Sequence, residues 1–192
     1  MTAIHNGEPS GERPAVLPSS DHYDIDSFLQ GWLGVAALLI NRQLTVLSLS
    51  TLAEELFPTL RPGQNLAHEV FLGECAPDER GSTETFSTQL VAMLQTSIGR
   101  NDDAELRHIV GELSTRSREF STAFAHGSEP VQPSGMLRVQ HPALGWMSLR
   151  YQLLRLGAEV DGTLIVWQGS DPHSVRALDQ LVQRPRRLSS EI

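Results

Sequence analysis

Met147-Ser148-Leu149-Arg150-Tyr151-Gln152-Leu153 alternates apolar and polar side chains without a break. Successive side chains of an extended strand point to opposite faces of a sheet. Met147, Leu149, Tyr151 and Leu153 therefore share one face, and the stretch predicts a half-buried strand. Just upstream, Met136 to Val139 reads as a shorter strand. Downstream, Gly162 makes a turn and Leu164 to Gln168 a last strand. Asp171 followed by Pro172 is an N-cap with proline at the first helical position, which opens a terminal helix running to Val182.

The middle of the chain, as far as Gly127, is read as helical. Phe86, Leu90, Met93, Leu94 and Ile98 recur at helical spacing, the stripe of a helix packed on one side. Asp102 with Glu105 resembles a capping box, behind which Leu106, Ile109, Val110 and Leu113 form an apolar face. Ser117 starts a further helix carrying Phe120 and Phe124 one turn apart. Further upstream, Val35 to Ile40 and Leu44 to Leu49 predict a hairpin turning at Asn41-Arg42-Gln43. A short helix precedes it, with Phe28, Leu29 and Trp32 on one face. Thr51 is the expected cap of a helix over Leu52, Leu56 and Phe57 that Pro58 ends. Arg61-Pro62-Gly63-Gln64 is a turn, and Asn65 caps a helix with Leu66, Val70 and Phe71. This order predicts an α+β domain: an antiparallel sheet of about four or five strands covered on one face by helices.

Residues 1–22 hold Pro9, Pro14 and Pro18 among small polar residues, a composition that reads as a flexible N-terminal tail. The folded domain is expected over 23–183, and Arg184, Arg186 and Arg187 belong to a C-terminal tail over 184–192. A net charge of -8 argues against a nucleic-acid-binding surface spread over the domain. With Cys75 as the single cysteine, neither an internal disulfide nor a multi-cysteine zinc site is available. No basic segment leads into an apolar one at the N-terminus, and Trp32 to Ile40 is far shorter than the roughly 20 residues that span a bilayer. A cytoplasmic location without membrane insertion is the expectation.

Several motifs occur in a characteristic order. Val110-Gly111-Glu112-Leu113-Ser114 is followed by Ser117-Arg118-Glu119-Phe120, and then by a strand that begins His141-Pro142 and continues through Gly145, Leu149 and Tyr151. Gly63-Gln64-Asn65-Leu66 adds a turn upstream. Over residues 28–181 the chain resembles the ligand-binding domain of MmyB-like transcription regulators, a PAS-like sensor module of actinobacteria and related bacteria. Two departures touch the aromatic positions: Ser48-Leu49-Ser50 stands where the family pattern has Ala-Trp-Asn, and Phe124 where it has tryptophan. The XRE-type helix-turn-helix usual in this family has no counterpart in the short stretch before residue 28, so direct DNA binding is not expected.

The resemblance implies a domain that binds a small hydrophobic ligand, of which a fatty acid is an example, between sheet and helices. The candidate lining is Phe71, Leu90, Leu94, Ile109, Phe120, Met147, Leu149 and Tyr151, with the Tyr151 hydroxyl as polar handle and His141 as a candidate anchor. Each of these residues would also serve as plain core. The resemblance further implies regulation of transcription through contact with a protein partner or an identical subunit, with Phe28, Trp32, Leu178 and Leu181 as contact residues. No cofactor, metal or catalytic residue is expected: His108 and Glu112 lack further ligands, Cys75 lacks a base, and no P-loop, Gly-x-Gly-x-x-Gly or Gly-x-Ser-x-Gly motif occurs. The rival reading is an enzyme or accessory protein of a biosynthetic cluster built on the same fold.

Overall fold

The computed structural model describes residues 25–73, 83–100, 103–127, 130–157 and 162–183. The two tails, Cys75, Asp102 and the arginines after residue 183 lie outside these segments. Within the described segments five strands form one antiparallel sheet: β1 (Ala36–Asn41), β2 (Val46–Leu49), β3 (Ser134–His141), β4 (Gly145–Arg155) and β5 (Gly162–Gly169). Their order across the sheet is β2-β1-β5-β4-β3, with the N-terminal hairpin paired to the last strand. Among the described residues seven helices accompany it: α1 (Ile25–Gln30), α2 (Thr51–Leu56), α3 (Leu66–Leu72), α4 (Thr83–Arg100), α5 (Ala104–Arg116), α6 (Arg118–Ala125) and α7 (Pro172–Val182). This is the predicted α+β, PAS-like arrangement.

The period-two reading of β4 places the core. Met147, Leu149 and Tyr151 are fully buried, while Arg150, Gln152 and Leu154 face outward. The same face carries Ala36, Leu38 and Ile40 of β1 and Ile165 and Trp167 of β5, and it packs against apolar residues of α2 to α7. On the opposite face, Leu29 of α1 covers Ala37, Leu39 and Leu164. A single short helix thus roofs β1 and β5 from behind.

Several local expectations shift by a residue, each for a visible reason. Ser50, not Thr51, caps α2: its hydroxyl accepts from Ala53 N–H, and it also binds the backbone of Val35 and Ala37. Asp103 rather than Asp102 caps α5, because its carboxylate accepts from Leu106 N–H at 2.6 Å. β2 starts at Val46, since Leu44 takes a positive φ of 65° to close the turn. β3 runs well beyond Met136 to Val139, paired with β4 along its whole length, and Gly162 is the first residue of β5 rather than a turn. In α1 the inward positions are Ile25 and Leu29, and Trp32 just past its end packs on the same cluster, while Phe28 lies off that face and is 61% exposed. Leu178 and Leu181 are buried under α7 and do not form a contact surface. Asn65, Ser117 and Asp171 cap α3, α6 and α7 as expected.

Candidate functional site

The interior between sheet and helical layer is built from aromatic rings in pairs. Phe71 of α3 meets Phe120 of α6 edge to face, with centroids 5.1 Å apart. Phe120 in turn stacks on Phe124. Phe86 of α4 meets Tyr151 of β4 at 5.0 Å. Leu90, Leu94, Ile109, Met147 and Leu149 belong to the same buried cluster. The eight predicted lining residues therefore come together, drawn from α3, α4, α5, α6 and β4. Their assembly equally describes a packed core.

Tyr151 is where this interior departs from simple packing. The residue is fully buried, yet its hydroxyl has no hydrogen-bond partner. Burial without compensation raises the phenol above its ordinary pKa, so the group stays neutral. Gly135, its partner across β3, leaves the space the ring occupies; a Cβ there would fall on the hydroxyl and the ring edge. A buried hydroxyl with nothing to bond costs about 1–3 kcal/mol.

His141 has a different setting. Its Nδ1 accepts from Ala143 N–H at 3.2 Å, which fixes the proton on Nε2, and Nε2–H donates to the Glu55 carbonyl at 3.0 Å. Both ring nitrogens are thus engaged by backbone, tying the end of β3 to α2. Glu112 donates nothing to a metal site: it accepts from Arg116 at 2.6 Å and lies 3.5 Å from His68 Nε2. The Arg116 hydrogen bond, together with the nearby histidines, lowers its pKa. Among the described residues no three His, Cys, Asp or Glu side chains gather closely enough to hold an ion.

A cleft of about 770 Å³ opens where α4 leaves the sheet, lined by Met93, Thr96 and Ser97 of α4, Leu153 and Arg155 of β4, and Thr163 of β5. Asn41 and Arg42 close it beside β1, and Val131, Pro133, Leu156, Gly157 and Gly162 complete the wall. Met93 and Leu153 also pack on the main core, so the cleft floor is the core's own outer layer. Along the inward side of β4, Arg155 stands at the rim, Leu153 on the floor and Tyr151 inside. Alternate residues of a strand are spaced by roughly 6.6 Å, which makes a graded line from charge to apolar surface to buried hydroxyl. Arg42 is held at this rim by Asp103 at 2.9 Å. The cleft was not foreseen, because it gathers strand ends and a turn that have no periodic signal. One cue existed: Arg155 has the inward parity of Tyr151 and Leu153, and a charge at an inward position marks an opening.

Residues 23–181 match the family model for the MmyB-like transcription regulator ligand binding domain. The match covers most of the chain, and the protein belongs to that family, whose description makes it a regulatory ligand-binding domain. Among curated proteins the chain finds no match. No helix of the described residues is long and apolar enough to cross a membrane.

Proposed function

We propose that this domain binds a small apolar molecule of the fatty-acid class and, without catalysing a reaction, passes its presence to a protein partner or a second subunit in the control of transcription. The observation that supports it most is the Tyr151 hydroxyl, buried, unpartnered, and one inward position beyond the floor of an open cleft. A ligand whose apolar body parts Met93 from Leu153 would lie among Leu90, Leu94, Met147 and Leu149 and reach that hydroxyl. Phe71, Ile109 and Phe120 would line the deeper end, and His141 would border the site from β3. The carboxyl group of such a ligand would bond the Tyr151 hydroxyl, and Arg155 at the rim would draw the anionic ligand to the mouth of the cleft. Because α4, α5 and α6 pack around this interior, filling it would shift the helical layer against the sheet and alter the surface offered to a partner.

Native and denaturing mass spectra of the purified protein test this. The expected result is a small apolar compound released at about one per chain, with binding of an added C14–C18 fatty acid weakened by Tyr151→Phe and Arg155→Gln. A chain that carries nothing and ignores a fatty-acid panel would overturn the ligand reading. Ligand saturation that leaves oligomeric state and partner affinity unchanged would overturn the signalling part.

A further inference from the structure

Among the described residues four buried side-chain polar atoms have no hydrogen-bond partner: Ser48 Oγ, His68 Nε2, Tyr151 Oη and Trp167 Nε1. The first two lie away from the interior. Ser48 is paired across the sheet with Leu39 and so faces α1, and His68 Nε2 stands 3.5 Å from Glu112, between α3 and α5. Tyr151 and Trp167 both belong to the apolar cluster between sheet and helices, and they stand directly opposite each other on β4 and β5.

The strand register fixes their depth. Arg155 pairs with Thr163, and both line the cleft. The next inward pair is Leu153, on the cleft floor, with Ile165; the one after it is Tyr151 with Trp167. Opposed residues of neighbouring strands share a face, so the first row behind the floor carries two orphaned polar groups. Trp167 is 3% exposed, and its indole N–H can only donate. Its ring meets Phe57 at 4.9 Å, and its neighbour on β1 is Ala36; neither side chain offers an oxygen or nitrogen acceptor. Native interiors leave few such donors unpaired, and each one left calls for a reason.

One carboxyl group cannot answer both. The Tyr151 hydroxyl reaches over Gly135 on β3, where an added Cβ would meet it, whereas Trp167 stands on β5. β4 lies between those two strands, which at about 4.8 Å per strand puts them roughly 10 Å apart. We propose that Trp167 is a second ligand anchor and that the ligand is an oxygenated fatty acid. Its carboxyl group bonds the Tyr151 hydroxyl, and an oxo or hydroxyl oxygen along its chain accepts from Trp167 Nε1–H. This rests on the ligand reading above and narrows it, because a plain fatty acid leaves the indole unsatisfied.

Titrations of the full chain with stearic acid and with 10-oxostearic acid test it. The oxo acid should bind about tenfold more tightly, the contribution of one buried hydrogen bond. The indole N–H signal of Trp167 in a nitrogen-correlated NMR spectrum should move downfield with the oxo acid and stay in place with stearic acid. The other two tryptophans, Trp32 and Trp146, lie outside this cluster, so replacing each by phenylalanine assigns the signal without touching the interior. Trp167→Phe should weaken the oxo acid alone and bring the two affinities within about threefold of each other. The preference and the NMR signal are both read in the parent protein, which keeps the test intact should that variant prove unstable. Equal affinities, or an indole signal unmoved by the bound oxo acid, overturn the proposal and leave the ligand reading standing. Failure of both acids to bind overturns the two together.

Discussion

The Tyr151 hydroxyl gives a single atom diagnostic value. With the interior empty, removing it relieves an uncompensated burial, so Tyr151→Phe should raise stability by about 1 kcal/mol in urea denaturation. With a ligand bound to it, the same substitution should lower both stability and ligand affinity, so the sign of the effect reports occupancy. The pH dependence follows from the raised pKa. The unfolded chain releases this proton near pH 10, the folded chain only at higher pH. Stability is therefore independent of this group below about pH 10 and falls as pH rises from there toward the folded value. The Phe variant should show a shallower alkaline decline. An alkaline limb identical in the two proteins would mean that the phenol ionises equally well in the folded state.

At the scale of elements, two glycines make opposite predictions. Gly169 ends β5 against the first turn of α7; a Cβ there would lie 2.5 Å from Val175 N and 2.8 Å from Ser174 C, both backbone. Ser174 anchors that turn, its hydroxyl accepting from Ser148 N–H at 2.8 Å and donating to Asp171 at 2.9 Å. Gly169→Ala must push α7 off β4 and should cost about 1–3 kcal/mol. Gly111, exposed in the middle of α5, has nothing within 4 Å of an added Cβ. Gly111→Ala should therefore stabilise by about 0.5–1 kcal/mol. Thermal melts of the two variants check both signs. Sequence showed α7 to the residue, because Asp171-Pro172 is an unambiguous start and local chemistry alone decides it. It showed the inward face of β4 from Met147 to Leu153, though not the ends of the strand at Gly145 and Arg155, because strict alternation has a single solution. It misplaced the caps of α2 and α5 by one residue, where Ser50 and Thr51, or Asp102 and Asp103, are chemically equivalent and only tertiary partners choose between them. The cleft stayed hidden for the same reason: Arg42, Ser97 and Arg155 meet through the fold, not through spacing. The predicted lining was legible as a cluster, but apolar periodicity reads core and ligand cavity identically.

Across the whole molecule, half-buried carboxylates fasten the helices in place. Asp103 caps α5 and also reaches back to the β1–β2 turn, accepting from Arg42 at 2.9 Å and Gln43 at 3.0 Å. Its pKa is lowered chiefly by the Leu106 N–H, then by Gln43 and Arg42. Asp171 is lowered by Ser174, and Glu112 by Arg116 and the neighbouring histidines. Each is ionised in the folded chain at a pH where the unfolded chain has begun to take up a proton. Their contribution is present above the ordinary carboxylate range and is lost as pH falls through the folded values. Acid should therefore loosen the attachment of α5 and α7 before it disrupts the apolar interior. Asp103→Asn isolates one of these ties, because asparagine caps a helix as well as aspartate but carries no charge to pair with Arg42. The variant should be less stable than the parent at pH 7, and the gap in urea midpoint should narrow as pH falls from the ordinary carboxylate range through the lowered pKa of Asp103. Asp103→Ala, which loses the cap as well, should keep part of its deficit at low pH. A constant gap for Asp103→Asn across the acid range would show that the charge of Asp103 does not hold α5 to the hairpin and that its hydrogen bonds alone do so.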